Sequence, residues 1–198
     1  MMLAAITATM AAALPRGALA QSPAPRPEIA TAAPSADAEP ASLAELFTEL
    51  KRESDPRQAR DVADRIWAEW RDSGSATVNL MMQWANEAVE EERHGTALDL
   101  LDQVTILAPD YAEGWNRRAT VHYLMKNHGK SMSDINRVLE LEPRHFGALA
   151  GMAGILKEAG RDAAALRAYE RALDIYPADR ALQRQMTDLA DELSGDPA

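Results

Sequence analysis

Apolar residues return along most of this chain at three- and four-residue intervals, the spacing of one face of an α-helix. The pattern begins with Leu43, Leu46, Phe47 and Leu50. Ser42 and Glu45 stand just ahead of it at capping-box spacing. Asp55-Pro56 then supplies an N-cap and a first-turn proline for a second helix. Val62, Ala63, Ile66, Trp67 and Trp70 line one face of that helix. Further amphipathic stretches follow in pairs. From residue 57 to 196 the only prolines are Pro109, Pro143 and Pro177, spaced by 34 and 34. Each closes a similar segment: ALDLLDQVTILAPDY, SMSDINRVLELEPRH and ALRAYERALDIYPAD. Proline stops a helix there because it lacks the N–H and turns its predecessor away from the α region. Leu182, Met186, Leu189 and Leu193 mark a last helix over about 179 to 193, with Asp179, Arg180, Arg184, Asp188 and Asp191 on its opposite face. The pattern predicts about nine helices.

The period is itself informative, because a fixed spacing of this size marks repeats that must stack to bury their apolar faces. Small residues recur in register. Ala85, Ala119 and Ala153 fall at one position, and Ala97, Ser131 and Ala165 at another. Large residues recur beside them: Met81, Trp115 and Leu149, then Leu101, Ile135 and Tyr169, with Val104, Val138 and Ala172 following. Small side chains let two helices cross closely, and large ones fill the gaps between units. With the closing prolines, this resembles the tetratricopeptide repeat (TPR) family, whose unit is a 34-residue helix–turn–helix. Trp84, Arg118 and Met152 stand where the family prefers leucine, so Arg118 is a departure. The resemblance implies an all-α, right-handed α-solenoid of stacked repeats over 78–111, 112–145 and 146–179. Residues 42–75 read as a degenerate unit at the front and 180–193 as a capping helix, giving a TPR domain over 42–193. Counting back by 34 puts Ala63 at a small position and Trp67 at the aromatic one, while Trp70 falls where a small residue is wanted.

Two segments ahead of the repeats read differently. Residues 1–20 carry no acid and one base, Arg16, around an apolar run from Met2 to Leu14. Pro15 and Gly17 follow, then Ala18-Leu19-Ala20. This is the layout of a signal peptide cleaved after Ala20, too short to span a bilayer permanently. It predicts a periplasmic or secreted protein with no stable membrane insertion after cleavage. Residues 21–41, with five prolines and seven alanines, read as a disordered Ala/Pro-rich linker.

Composition removes several chemistries. The 198 residues include no cysteine, which excludes disulfides, thiolate metal sites, a thiol nucleophile and a lipoprotein anchor. A net charge of −10 argues against a nucleic-acid binder, which needs a basic face. His94, His122, His128 and His145 form no H-E-x-x-H and no i, i+4 pair. His94, His128 and His145 read as turn and surface positions, and His122 as a packing position. Glu87, Glu90, Glu91 and Glu92 read as a solvated helix end. Gly147, Gly151 and Gly154 sit within a helix and read as sites of close approach. Trp67, Trp84 and Trp115 fall at packing positions and are expected in the core. No catalytic, cofactor or metal residue is predicted.

The working surface predicted from the resemblance is the concave groove lined by the first helix of each unit. Its positions are Asn79, Met82, Asn86, Val89 and Glu90 in the first unit. The second supplies Glu113, Asn116, Thr120, Tyr123 and Leu124, and the third Gly147, Ala150, Gly154, Lys157 and Glu158. The family's clamp for C-terminal carboxylates wants a lysine where Met82 stands, so that clamp is not expected. Asparagines can hold a peptide backbone by paired donor and acceptor bonds. With more acid than base on this strip, the expected ligand is an extended peptide or helix with apolar and basic residues. The function predicted is a non-enzymatic interaction scaffold of the bacterial cell envelope with a protein or peptide partner. The alternatives are a cytoplasmic adaptor of the same fold with an uncleaved N-terminus, and, third, an enzyme or metal-binding protein.

Overall fold

The structure is a computed structural model that describes residues 42–195. The segments read as signal peptide and linker lie outside the described residues. Nine helices are present among the described residues: α1 (Leu43–Arg52), α2 (Pro56–Arg71), α3 (Ala76–Glu90), α4 (His94–Leu107), α5 (Ala112–Leu124), α6 (His128–Leu141), α7 (Phe146–Glu158), α8 (Asp162–Ile175) and α9 (Arg180–Ser194). They pack in consecutive pairs, α3 on α4, α5 on α6 and α7 on α8, and each pair stacks on the next.

Local chemistry sets the helix ends. Ser42 and Glu45 form the full capping box on α1, and Asp55 accepts from the Arg57 and Gln58 amides at the start of α2. Each such cap satisfies donors that the first helical turn leaves free. The first helix of each repeat ends on a left-handed residue: Glu92 (φ 58°), Lys126 (φ 60°) and Gly160 (φ 66°), 34 residues apart. One backbone geometry therefore recurs three times, although only the third unit uses glycine for it.

The crossings are built as the repeat pattern requires. Ala85, Ala119 and Ala153 are buried on the first helices, and Ala97, Ser131 and Ala165 on the second. The Ser131 hydroxyl donates to the Ala119 carbonyl at 2.8 Å, so this polar crossing leaves no unsatisfied group. Leu101, Ile135, Tyr169, Val104, Val138 and Ala172 are buried behind them. Arg118 holds its non-consensus position by bridging Asp102 of α4 (2.8 Å) and Asp134 of α6 (2.7 Å). It also lies over the Trp115 ring, 4.6 Å from the centroid.

The α1–α2 hairpin packs differently from a first unit stacked ahead of α3. Its apolar face (Leu46, Phe47, Leu50, Val62, Ile66 and Trp70) shares a cluster with Phe146, Tyr176 and Ala178, at the start of α7 and the end of α8. No residue of α3 belongs to that cluster. The consequence is visible on α3. Arg118 faces the second helix of the preceding unit, but Trp84, 34 residues earlier, has no such helix in front of it. Trp84 is 47% exposed and Leu80 43% exposed. The expectation of a core tryptophan at 84 is therefore corrected: its position is a packing position only when a unit precedes it.

Candidate functional site

The hairpin is fastened by an aromatic joint around His145. The Trp70 indole stacks on the imidazole, with centroids 4.1 Å apart and planes 5° from parallel. Trp67 meets His145 and Phe146 edge-on at 5.3 and 5.4 Å. The Arg144 guanidinium covers the Phe47 ring at 4.1 Å. His145 is fully buried rather than a surface residue as its turn position suggested. Its Nδ1 accepts from the Ala148 amide at 3.1 Å, capping α7. The ring proton is thereby assigned to Nε2, which donates to Glu113 Oε2 at 3.3 Å.

That bond also corrects the groove reading of Glu113. The residue is 1% exposed, because its carboxylate is taken up by Asn116, Arg117 and His145. Met82 is likewise not a groove residue. It is 6% exposed, within a cluster that joins α3 to Val121 of α5. In both cases the side chain is drawn inward by a neighbouring helix, while the equivalent positions 34 residues on, Gly147 and Asn116, line a cleft.

The remaining predicted positions fall into two groups. Asn116, Thr120 and Tyr123 of α5 line one cleft of about 330 Å³ together with Gly147, Ala150, Gly151 and Gly154 of α7. Tyr169 of α8 and Gln185 of α9 complete the wall, and the residue pattern gave no signal for either. On the α7 side of this cleft Gly147, Ala148, Ala150, Gly151 and Gly154 carry little or no side-chain bulk, and Ile155 supplies the one large side chain. Its far end is polar. The Tyr123 hydroxyl donates to Glu158, which holds that carboxyl below its usual range and pushes the phenol up. His128 stacks on Tyr123 at 5.6 Å, with Nε2 3.3 Å from Glu158 Oε2. Lys157 is turned to Glu192 of α9 at 3.1 Å.

The second group lies on α3 and its edges. Asn79 is committed to the turn before its helix, accepting from Ser73 and donating to Asp72. Asn86 keeps a buried Oδ1 with no hydrogen-bond partner, a free acceptor on the predicted strip. Val89 packs against the α3–α4 core, and Glu90 and Leu124 are exposed. The structure does not bring these into the α5–α7 cleft.

A second cleft of about 590 Å³ opens where α2 crosses the ends of α7 and α9. It shares Gly147 and Ala150 with the first, so the two meet on α7. A Cβ on Gly147 would stand 2.7 Å from Trp67 Cη2, which makes this glycine the seat of the Trp67 ring. Among the described residues no group of three or more His, Asp or Glu could hold a metal ion, and no helix is long and apolar enough to cross a membrane.

Comparison with known proteins agrees with this architecture. No family model matches the chain. The first TPR domain of Spaghetti (RPAP3), bound to the HSP90 peptide SRMEEVD, superposes with a TM-score of 0.57 at 17% identity, over 62% of this chain and 96% of that one. The TPR domain of Sgt2 from Aspergillus fumigatus gives 0.57 at 17% identity, over 61% and 81%. The TPR2B domain of yeast Sti1 in its pHsp70 complex gives 0.55 at 16% identity, over 60% and 99%. In sequence, a TPR repeat-containing protein of Rhizobium etli is 59% identical over 153 residues, covering 77% of this chain and 75% of that protein. The 34-residue period, the alanine crossings and this relative together place the chain in the tetratricopeptide repeat family, a non-enzymatic family.

Proposed function

We propose that this protein is an interaction scaffold of the bacterial cell envelope that holds an apolar segment of a partner protein in the cleft between α5, α7 and α9. The carrying observation is the shape of that cleft: about 330 Å³ with Gly147, Gly151 and Gly154 along one wall and Asn116, Tyr123 and Gln185 presenting polar groups. An apolar side chain can enter beside glycine, while amide and hydroxyl groups pair with a peptide backbone. Several fold neighbours have peptide complexes, those of Spaghetti and Sti1 among them, which supports the same mode of use. The chain departs from a carboxylate clamp at Met82, which is buried apolar rather than a groove cation.

The structure changes the charge expected of the ligand. With Glu113 withdrawn into the core, the predicted acid excess of the strip shrinks to Glu90 and Glu158, and Glu158 already accepts from Tyr123. Placement in the envelope rests on the signal-like layout of residues 1–20.

Crosslinked capture from native envelopes should recover one partner with the parent chain and lose it with Gly151→Leu, which fills the cleft from α7. Asn116→Ala should weaken the same capture. Undiminished capture by both variants would move the site off this groove. A mature N-terminus at Gln21 in a periplasmic fraction is the expected processing. A full-length chain confined to the cytosol would leave the adaptor reading with an uncleaved N-terminus.

A further inference from the structure

The cleft at the α2 end of the groove gathers arginines from two helices. The chain carries 31 acidic and 21 basic residues, yet four arginines line this cleft: Arg57 and Arg60 from α2, Arg180 and Arg184 from α9. Only two carboxylates line it with them, Asp64 and Asp179. Asp179 is occupied as the N-cap of α9, accepting from the Ala181 and Leu182 amides. Arg180 donates one guanidinium nitrogen to Gln183. Among the described residues, no carboxylate is ion-paired with Arg57, Arg60 or Arg184, although nine other arginine, lysine or histidine residues have such partners.

The backbone adds to the same field. α2, α7 and α9 begin at Pro56, Phe146 and Arg180, and all three of these residues line the cleft. Three helix N-termini therefore converge on it, each with a partial positive charge. The floor between the arginines is apolar and partly aromatic, with Trp67, Phe146 and Tyr176. Only the folded-back hairpin creates this site, because half of its arginines come from α2.

We propose that this cleft is a docking site for an acidic segment of a partner protein, one that alternates Glu or Asp with apolar residues. Charge complementarity selects the occupant. Guanidinium forks pair with carboxylates in bidentate geometry, and the ring-lined floor takes the intervening apolar side chains. A net-negative protein repels an acidic chain at long range, but salt screens charges beyond about 8 Å at physiological ionic strength, so the local arginines govern close approach. The proposal deepens the scaffold reading and rests on it in one respect: the two clefts meet at Gly147 and Ala150, so a single peptide can run from one into the other.

The test is fluorescence anisotropy with the full chain and two labelled peptides, one alternating glutamate with leucine and one alternating glutamine with leucine. The glutamate peptide should bind more tightly, and added salt should weaken it. Arg57→Glu with Arg184→Glu, one change on each side of the cleft, should weaken it by about tenfold or more, since each lost pair becomes a repulsion. Arg167→Glu on the exposed side of α8 should leave the affinity unchanged, and matched thermal melts confirm that all variants fold. Equal binding of the two peptides, no binding of the glutamate peptide, or indifference to the double reversal overturns the proposal. A synthetic peptide of residues 27–41, which contains Glu28, Asp37 and Glu39, competing as strongly as the probe would assign the cleft to the chain's own segment and overturn the partner. Gly151→Leu separates the two readings. If it abolishes binding while the arginine reversal does nothing, the groove stands and the acidic cleft falls. If only the arginine reversal acts, the cleft stands and the groove reading falls.

Discussion

The α3–α8 stack and the α1–α2 hairpin are held by opposite strategies. In the stack, buried alanines and one serine let neighbouring helices cross closely, and each repeat touches mainly the next. In the hairpin, large rings do the work. Trp67 and Trp70 meet His145 and Phe146, and Arg144 covers the Phe47 ring, partners roughly 75 to 100 residues apart in sequence. The first strategy is periodic and nearest-neighbour, which allows units to be added at an open end. The second is a single long-range joint. It ends the series by turning the hairpin across the helix starts, and it leaves Leu80 and Trp84 uncovered on α3. The hairpin therefore shapes the proposed binding surface more than it extends the solenoid.

The comparison can be broken most forcefully at Trp70. Truncating a buried tryptophan costs about 3–5 kcal/mol. Trp70→Ala should therefore release α1–α2 while α3–α8 remain folded, giving fast amide exchange confined to residues 43–71. Uniform loss of protection across the chain would show instead that the two regions fold as one unit.

Glu113 stands at the junction, so its removal should be felt on both sides. Glu113→Ala strips a charged partner from His145 and Arg117 and should cost about 2–3 kcal/mol in denaturant unfolding. A change below about 0.5 kcal/mol would mean that the buried pair contributes no more than an ordinary surface contact. Overpacking one crossing should act on the stack alone: Ala165→Leu is expected to cost about 1–3 kcal/mol and leave hairpin exchange rates as they were. Ser42→Ala removes the capping box and should cost about 1 kcal/mol, read as fraying of α1 only.

The smallest effect is a pH slope. Burial holds the His122 imidazole below its ordinary 6.5, against the opposing pull of Asp134. The unfolded chain then takes up its proton at a higher pH than the folded one. Stability from this group is full above 6.5 and falls as pH drops through that value. His122→Phe should flatten the acid limb of a melting-temperature profile of the stack. An unchanged slope would assign it to other groups.

How much of this was readable in the residues follows from the same contrast. The helices, their caps and the crossings repeat in the chain, so Ala119 could be read from Ala85 and Pro143 from Pro109. The shared face of Gly147 and Gly154 on α7 is readable too, because they sit at the register of Asn79 and Asn86. Trp84 and Met82 were misplaced because one register position meets different neighbours in different units. The burial of His145, the partner of Glu113, involves Trp70, which reaches it only through the fold-back, and no local pattern encodes that path. Gln185 has no counterpart in the repeat register, because α9 reads as a capping helix and not as a groove wall. Arg57 and Arg184 stand far apart in sequence, so their cleft exists only once α2 and α9 have met.

The central claim is that α1–α2 lies across α7 and α9 rather than ahead of α3. With no native cysteine in the chain, paired spin labels report on it directly. Labels on Arg60→Cys with Arg184→Cys should give a short, narrow distance distribution, and Arg60→Cys with Leu80→Cys a clearly longer one. The reverse order, with the hairpin nearer Leu80 than Arg184, would put α1–α2 at the front of the stack and contradict both the fold-back and the arginine cleft built on it.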